Sequence, residues 1–574
     1  MFFTDKKIQP IPYSYLPQDF DVCSWISVQA FLEQLCAMQT DTTEALEELL
    51  LKYSDLIKAM SDELSWRYIH MTINADDPKK EEVYNDYYAN VYAPSEAYQF
   101  KIKQIFYNSP ARSELDIKAY SLLNQIFSND IQLFREENIP LLIQESELAN
   151  KYGGFVSKMS VFYDGEDRTP SQLAVYLKEN DRSKREEAWR LRFDLFLDKK
   201  DELNKLFDDL LELRTKIAKN AGFDNYRDFK HREMGRFSYT PDDIFRFHEA
   251  VEKVVVPFHA ELNKHRQETL KLDSLRPWDT AVDLDGRKLK PFETTEEFIT
   301  KSLKVLAKVH PNYAIQLELM CNTGLLDLEN RKGKAPGGYN STINNLASSF
   351  IFMNHVKQHG DVTTLLHESG HAMHSAATAN IKIAQYLEPP SEVAELASMA
   401  MELLTMDYWD EYYPLPSDLK KAKRDQLEGT LSFLPWCMTV DAFQQWVYLH
   451  PKHSAEERSD AYVHTCKRFS GGVDWSGLEK YRRIRWMQQL HIFEVPFYYI
   501  EYGIAQLGAL SIYMNYRKDK AKALKQYQNF LNLGYSVPVK EIYEAAGIDF
   551  DFSESRIREL VDFVSRELET LDKE

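Results

Sequence analysis

Apolar side chains recur every three or four positions through most of the chain from Ser27 to Ile217. The segments VQAFLEQLCAMQ at 28–39 and DELNKLFDDLLELRTKIAKN at 201–220 show the pattern clearly. A repeat of this length places the apolar residues on one face of a helix. Alternation of apolar and polar residues, which marks a half-buried strand, is scarce here. The pattern predicts a helical region.

The pattern changes between Leu326 and Gly360. RKGKAPGGYN at 331–340 is basic and rich in glycine, and SSFIFMN at 348–354 is a short apolar run bounded by turn-forming residues. These features predict a small β-sheet beside the helix that follows. Helical periodicity returns after Asp361 and persists to the C-terminus, so the predicted fold class is mainly α with a minor β element.

Composition and charge narrow the class of protein. The chain has 574 residues, of which 44% are hydrophobic and 28% charged, as in soluble globular proteins with a sizeable core. Its net charge of −19 repels nucleic-acid phosphates and anionic lipid headgroups, and no dense basic patch reverses this locally. We therefore expect no nucleic-acid partner and no membrane partner.

The N-terminus and the cysteines bear on localisation. MFFTDKKIQPIPYSYL lacks the basic and then apolar pattern of a signal peptide, and polar residues interrupt every later apolar run before 18 residues. The five cysteines are scattered and form no C-x-x-C pair. We expect a cytoplasmic protein with reduced thiols, neither secreted nor membrane-spanning.

The segment TTLLHESGHAMHS at 363–375 contains an HExxH motif. Residues four apart on a helix share one face, so His367 and His371 can direct their imidazoles at one metal ion. Glu368 is displaced around the helix axis, which suits a base acting on water better than a third ligand. The alternative is a solvated helix face whose composition happens to spell the motif.

A catalytic zinc site needs a third protein ligand. The metzincin spacing fails, because it requires glycine at position 374 and histidine at 377, where this chain has His374 and Ala377. LEPPSEVAELASMAMELL at 387–404 offers three glutamates at helical spacing instead. Glu395 is the better candidate, because an unpaired carboxylate among its small and apolar neighbours would be costly to bury.

The remaining glutamates and histidines have simpler explanations. Glu392 lies in the first turn of its predicted helix, where the helix dipole favours a negative charge. Glu402 can orient a liganding histidine or be exposed. His355 and His359 also stand four apart, but the strand-like run before them argues against a shared helical face. His374 lies two turns from His367 and is better explained as a packed neighbour.

At this point the residues resemble a known family. HESGHAMH followed by the glutamate of AELASMAME is similar to the thimet oligopeptidase and oligoendopeptidase F metallopeptidases. AGFDNYRDF, GKAPGGYN, FIFMN running into HGDVTTLLHE, and HIFEVPFYYIEY add to the likeness, which covers roughly Ala221 to Gly508. The resemblance implies a large two-lobed helical metallopeptidase with a deep substrate channel that admits short unstructured peptides.

The resemblance also assigns roles to residues. It makes His367, His371 and Glu395 the ligands of one zinc ion per chain and Glu368 the general base. We accordingly predict a helical N-terminal lobe over residues 1–200 and a zinc metallopeptidase catalytic region over residues 201–574.

HIFEVPFYYIEY at 491–502 resembles the family's histidine and tyrosine stretch, whose side chains hydrogen-bond the tetrahedral intermediate. His491, Tyr498 and Tyr502 are the candidates. The thimet branch has a tyrosine five residues after its histidine, whereas this chain has Pro496 there, and its nearest tyrosines are Tyr498 and Tyr499. Core packing of an aromatic run is the alternative.

The predicted function is a zinc-dependent endopeptidase that hydrolyses internal bonds of short oligopeptides. Two alternatives stay open: an exopeptidase of the dipeptidyl carboxypeptidase kind, which needs a basic group for the terminal carboxylate, and a non-catalytic peptide-binding relative. The Gly-rich loop and the SSFIFMN strand are candidates for binding substrate backbone at an open strand edge. Oligomeric state and side-chain preference do not follow from the sequence.

Overall fold

The structure, a computed structural model, describes residues 6–573, and helices dominate it. The first twelve helices are α1 Trp25–Cys36, α2 Thr43–Ile73, α3 Pro78–Tyr87, α4 Ala93–Asn108, α5 Ile117–Leu133, α6 Ile139–Val156, α7 Pro170–Val175, α8 Arg182–Asp198, α9 Lys200–Asn220, α10 Tyr226–Glu233, α11 Pro241–Thr269 and α12 Thr295–Val309. The next twelve are α13 Pro311–Thr323, α14 His359–Ala377, α15 Ser391–Thr405, α16 Pro416–Ser432, α17 Leu434–Leu449, α18 Ala455–Arg468, α19 Glu479–Ile484, α20 Leu490–Glu494, α21 Tyr499–Lys518, α22 Lys520–Leu531, α23 Val539–Ala545 and α24 Glu554–Lys573.

Short turns of other helix types join several of these helices. The 3₁₀ turns are Pro110–Glu114, Glu136–Asn138, Tyr176–Lys178, Pro277–Asp279, Asn344–Leu346, Ala384–Leu387, Met406–Glu411 and Arg485–Gln488, and a π turn spans Tyr88–Tyr92.

Within residues 6–573, five strands form two small sheets. β1 (Val161–Tyr163) and β2 (Glu166–Arg168) make an antiparallel hairpin whose turn holds Asp164 and Gly165 at φ of 53° and 83°. Two consecutive positive φ angles are what a tight two-residue hairpin turn requires, and an Asp-Gly pair adopts them readily. The second sheet contains β3 (Leu326–Glu329), β4 (Tyr339–Ile343) and β5 (Ser348–His355) in the order β3-β5-β4.

The predicted strand SSFIFMN is confirmed as β5, but its place in the sheet differs from the expectation of an open edge. β5 pairs in parallel with β3 and antiparallel with β4, so hydrogen bonds occupy both of its edges. A central strand cannot receive a peptide strand, and the open edges belong to β3 and β4. Its residues are nearly all buried, which explains why it has no apolar-polar alternation.

The chain divides into two compact units, each assembled from three segments. The first unit comprises 1–131, 289–424 and 508–550, and it contains the three-stranded sheet, α14 and α15. The second comprises 132–288, 425–507 and 551–574. Its core is rich in aromatic side chains, with Phe493 packed against the rings of Tyr152, Phe207 and Trp486.

The mainly α fold class and the small sheet beside the HExxH helix are confirmed. The division at residue 200, the two lobes and the substrate channel stay predictions. None of the helices within residues 6–573 combines the length and apolarity that a bilayer crossing requires.

Candidate metal centre and catalytic residues

The HExxH helix is α14, which begins four residues after β5 ends. Gln358 and Asp361 form a capping box at its N-terminus, in which the backbone N–H of Gln358 donates to the Asp361 carboxylate over 2.7 Å. Such a cap satisfies the first backbone donors of the helix and sets where it begins. The sheet is also tied to α14 further along, because the side-chain amide of Asn340 donates to the Glu368 carbonyl over 3.2 Å.

Gly370 sets the distance between α14 and α15. A Cβ atom at this position would lie 2.6 Å from the Cα of Ser398 and 2.7 Å from the carbonyl oxygen of Ala397. Contacts this short do not occur between real atoms, so only glycine permits the two helices to approach this closely. The approach brings α15 against the turn of α14 that carries both histidines.

The close approach brings three candidate ligands together. Donor atoms of His367, His371 and Glu395 all lie within 4.8 Å of one another. The Oε2 atom of Glu395 is 3.2 Å from Nε2 of His367 and 3.8 Å from Nε2 of His371. Within residues 6–573, this is the group of three such side chains that is placed to hold a metal ion.

Glu402 lies on the far side of His367 from this group. Its Oε1 atom is 2.7 Å from Nδ1 of His367, so the imidazole donates to a carboxylate through Nδ1 and turns Nε2 towards Glu395. This contact fixes the tautomer and orientation of a liganding histidine. Of the two explanations that the sequence allowed for Glu402, orientation of a histidine is the one that its position favours.

The carboxylate of Glu368 is buried, with 8% of the residue exposed. Its Oε2 atom is buried and has no hydrogen-bond partner within the described chain. Burial raises the pKa of Glu368 to about 7, against the lowering effect of the charge on nearby His367. A carboxylate with a pKa near neutrality and a free oxygen suits proton transfer to and from a reacting group.

Burial and the carboxylates also shift the other pKa values. Burial alone would lower the pKa of His367, but hydrogen bonds to Glu395 and Glu402 raise it well above its usual value. Burial alone would raise the pKa of Glu395, but the hydrogen bond from His367 and the electrostatic influence of the neighbouring imidazoles lower it. Burial lowers the pKa of His371 to about 4, which keeps its imidazole neutral.

These residues fit a zinc ion. Two imidazole nitrogens and one carboxylate oxygen form a donor set of catalytic zinc sites, in which the fourth position stays open for water or substrate. The unpartnered oxygen of Glu368 lies on the residue next to a ligand, where a base is required.

Two of the other histidines of this region are within hydrogen-bonding distance of hydroxyl groups. Nε2 of His355 is 2.9 Å from the Thr295 hydroxyl, and Nδ1 of His359 is 2.7 Å from the Tyr413 hydroxyl. His374 is buried, and its ring lies 6.0 Å from that of Phe530. Within residues 6–573, none of these three histidines belongs to the group of donor atoms that could hold a metal ion.

His491, Tyr498 and Tyr502 form one cluster within the second unit. The ring centroid of His491 is 6.1 Å from that of Tyr498 and 6.3 Å from that of Tyr502, and the two tyrosine rings are 5.1 Å apart. Tyr499, which the sequence analysis did not select, lies closer to His491, at 4.8 Å between centroids. Burial lowers the pKa of His491, which favours its neutral form.

The segment before the tyrosines is held in an unusual conformation. Phe497 has a φ of 68°, a left-handed conformation that is strained for a bulky residue. The guanidinium of Arg236 donates to the Phe497 carbonyl over 2.5 Å and to the Glu501 carboxylate over 2.9 Å. The contact stabilises the strained turn, and Arg236 lies too far away in the sequence for any local pattern to have identified it.

The fold is mainly helical, and its HExxH helix lies against a helix that carries a glutamate. These two features are typical of helical proteins with an HExxH metal-binding motif. The chain belongs to peptidase family M3. The family's sequence profile matches residues 175–562, and that of the Peptidase M3 N-terminal domain matches residues 20–134. The resemblance to oligoendopeptidase F is confirmed.

Individual proteins of this kind are similar to the chain over long stretches. An oligoendopeptidase F homolog of Mycoplasma pneumoniae is 24% identical over 68% of this chain and 66% of its own length, so the chain spans just under two thirds of that relative. An oligoendopeptidase F homolog of Lactococcus lactis subsp. lactis is 20% identical over 92% of both chains. The solved structure of PZ peptidase A with an inhibitor superposes with a TM-score of 0.88 at 26% identity, covering 97% of this chain and 99% of that one.

Proposed function

We propose that the protein is a zinc-dependent endopeptidase that hydrolyses internal peptide bonds of short oligopeptides. The observation that carries the proposal is the convergence of His367, His371 and Glu395, beside the buried and partly unpartnered carboxylate of Glu368. Membership of peptidase family M3 and the similarity to oligoendopeptidase F proteins support it.

His367, His371 and Glu395 would hold one zinc ion per chain. Zinc bound there supplies a Lewis acid, which lowers the pKa of water towards neutrality and polarises a carbonyl group. Glu402 would favour the tautomer of His367 that leaves the Nε2 lone pair available to a metal ion. Glu368 accepts a proton from the attacking water and then returns it to the departing amine.

The roles of His491, Tyr498 and Tyr502 follow from the family resemblance. A tyrosine hydroxyl and an imidazole N–H can donate hydrogen bonds to the oxygen that becomes negative in the tetrahedral intermediate. We assign this role to His491 and Tyr498 first and to Tyr502 second. We infer short peptides as the partners and the cytoplasm as the location; the net charge of −19 argues only against nucleic-acid and membrane partners.

The test combines metal content with turnover. The purified protein should contain about one zinc per chain, should lose peptide hydrolysis to 1,10-phenanthroline and should regain it with added zinc. Glu368→Gln should keep the metal and lose at least about a hundredfold in turnover, because only the base is removed. Full activity of rigorously metal-free protein would refute the zinc mechanism.

Peptides blocked at both ends distinguish the alternatives. An endopeptidase cleaves them, an exopeptidase that recognises a terminal carboxylate does not, and a non-catalytic relative binds peptides without turnover. Mass spectrometry of the products locates the cleaved bond. Cleavage restricted to peptides with a free C-terminus would replace the endopeptidase assignment with the exopeptidase one.

A further inference from the structure

The second unit contains a cavity of about 420 Å³, whose lining includes none of the candidate metal ligands and none of Glu368, His491, Tyr498 and Tyr502. Three arginines line it, Arg192 of α8 together with Arg482 and Arg485 of the segment after α18. Aromatic side chains form much of the remaining wall, including Trp436 and Trp475. A cavity of this size is in the range that holds a small ligand.

These arginines are half-buried, and they differ from the fully buried arginines of the protein in having no carboxylate partner among the described residues. Every arginine that is fully buried within the described residues is paired with a carboxylate: Arg185 with Asp279, Arg214 with Glu145, Arg236 with Glu501 and Arg458 with Asp208. Within residues 6–573, Arg192, Arg482 and Arg485 make no salt bridge, and none of the described residues that line the cavity is acidic. Three positive charges therefore share one cavity without a counter-charge.

Several donors in the cavity wall also lack hydrogen-bond partners. The buried Nε atoms of Arg192 and Arg482 and the buried Nε2 atom of Gln488 have no partner within the described chain. Burial, reinforced by the charge on Arg485, lowers the pKa of Arg192. Leaving buried donors and like charges uncompensated costs free energy, which a bound anion would recover.

The aromatic wall orients two of the guanidinium groups. The guanidinium of Arg485 lies 4.1 Å from the ring centroid of Trp436, and that of Arg482 lies 5.7 Å from the ring centroid of Trp475. Stacking on an aromatic face fixes the plane of a guanidinium while leaving its edge donors free. Guanidinium edges bind carboxylate and phosphate oxygens through paired hydrogen bonds.

We propose that this cavity is an anion-binding site, and that it takes a carboxylate or phosphate group through Arg192, Arg482 and Arg485. The apolar walls suit an anion carried on a small organic body. Two sources share this chemistry, a free anion from solution and the C-terminal carboxylate of a peptide. The second source rests on the proposed peptidase function, whereas the first does not.

The cavity is connected to the His491 cluster through shared residues. Gln489 lines the cavity, and its Nε2 atom is 2.7 Å from Nδ1 of His491. Trp436 also lines the cavity, and its side chain opposes the rise that burial causes in the pKa of Tyr499, whose ring is adjacent to His491. The cavity and the surroundings of His491 therefore share wall residues.

Isothermal titration calorimetry with inorganic phosphate at constant ionic strength tests the free-anion source. The parent protein should bind about one phosphate per chain, and Arg192→Gln should raise the Kd at least about tenfold. Arg192→Lys keeps the positive charge but loses the paired donors of the guanidinium group. Its Kd for phosphate should lie between those of the parent and Arg192→Gln. Arg246→Gln is the matched control, because Arg246 lies in the same unit with 69% of its side chain exposed.

Peptide binding tests the other source. In a Glu368→Gln background, which prevents turnover, a peptide acid and its C-terminal amide are titrated with and without Arg192→Gln. Loss of affinity confined to the acid assigns the cavity to peptide carboxylates, and this readout does not depend on peptidase activity.

Thermal unfolding shows that the variants are folded. In buffer without multivalent anions, Arg192→Gln should unfold at or above the parent's temperature, because it removes an uncompensated cation. Arg482→Gln serves as a second variant in both measurements.

The proposal is overturned if phosphate and the peptide acid each bind the parent and the folded Arg192 and Arg482 variants equally well. It is also overturned if phosphate and the peptide acid both fail to bind the parent.

Discussion

The Nδ1 atom of His367 lies 2.7 Å from Oε1 of Glu402, two turns along α15 from Glu395. One helix therefore supplies both the proposed third ligand and the carboxylate that orients the first histidine. Any shift of α15 along its axis would move both contacts together. The proposed metal centre thus depends on how α14 and α15 pack as much as on the HExxH motif itself.

Removing the carboxylate of Glu402 should weaken metal binding without removing a ligand. Glu402→Ala should reduce zinc affinity about 10- to 100-fold, because the His367 tautomer and ring orientation are no longer fixed. Glu402→Gln keeps an oxygen that can accept a hydrogen bond from Nδ1 of His367. Its zinc affinity should therefore lie between those of the parent and Glu402→Ala. Competition with a fluorescent zinc chelator measures all three proteins, and an unchanged affinity of Glu402→Ala would show that the contact does not tune the site.

Glu395 and Glu392 should behave differently when truncated. Glu395→Ala leaves two histidines and should abolish zinc retention at ordinary metal concentrations. Glu392 is also buried, with 1% exposed, so Glu392→Ala should destabilise the protein while the three ligands remain. Dialysis followed by metal analysis, alongside chemical unfolding, separates the effects. Preferential zinc loss from Glu392→Ala would overturn the ligand assignment.

The close contact of α14 with α15 predicts opposite effects at two glycines of α14. Gly370→Ala would place a methyl group 2.6 Å from the Cα of Ser398 and should destabilise the protein by about 1–3 kcal/mol while weakening zinc binding. Gly360→Ala is the matched control, because its Cβ would meet no atom within 4 Å. It should be neutral or stabilise by up to about 1 kcal/mol. Equal effects of both substitutions would contradict the proposed close approach.

The tyrosine cluster predicts a separation between catalytic and supporting hydroxyls. Tyr498→Phe should lower kcat about 10- to 1000-fold with zinc content unchanged, if its hydroxyl donates to the tetrahedral intermediate. Tyr499→Phe should have a smaller effect, because the Tyr499 hydroxyl already contacts Trp436 and Gln489. Steady-state kinetics on one blocked peptide compares the two, and a larger loss from Tyr499→Phe would reverse the roles.

Stability should fall as the pH is lowered, in part through His231. Burial lowers the pKa of His231 to about 4, and its Nε2 atom lies 2.8 Å from the Tyr239 carbonyl. The unfolded chain therefore takes up a proton near pH 6.5, whereas the folded protein resists until about pH 4. The contribution is complete above the unfolded pKa and declines as the pH falls through this window, by about 1–2 kcal/mol at pH 5.

Chemical unfolding at pH 7.5 and pH 5 measures this decline. His231→Gln should unfold with a smaller difference between the two pH values, although its stability at pH 7.5 is lower. An equal difference in the parent and the variant would remove His231 from the explanation.

Much of the metal centre follows from the sequence because it depends on local geometry. Residues four apart on a helix share a face whatever surrounds them, so the spacing of His367 and His371 predicted their convergence without any tertiary information. The apolar run at 348–354 likewise predicted a strand, because a short apolar run bounded by turn-forming residues matches the usual length of a strand and is too short for most helices. The glutamate-bearing segment that follows the motif was found from its helical spacing and its apolar neighbours.

Tertiary packing decided the rest, because contacts between distant residues depend on how the whole chain folds. The central position of β5 depends on pairing with both β3 and β4. The conformation of Phe497 depends on Arg236, 261 residues away. The arginine cavity brings Arg192 of α8 together with Arg482 and Arg485. No sequence motif links α8 to the segment that carries the other two arginines. Spacing in the sequence shows which residues share one helix or strand. The close approach of α14 to α15 at Gly370 depends on how the two helices pack, and no local pattern encodes that packing.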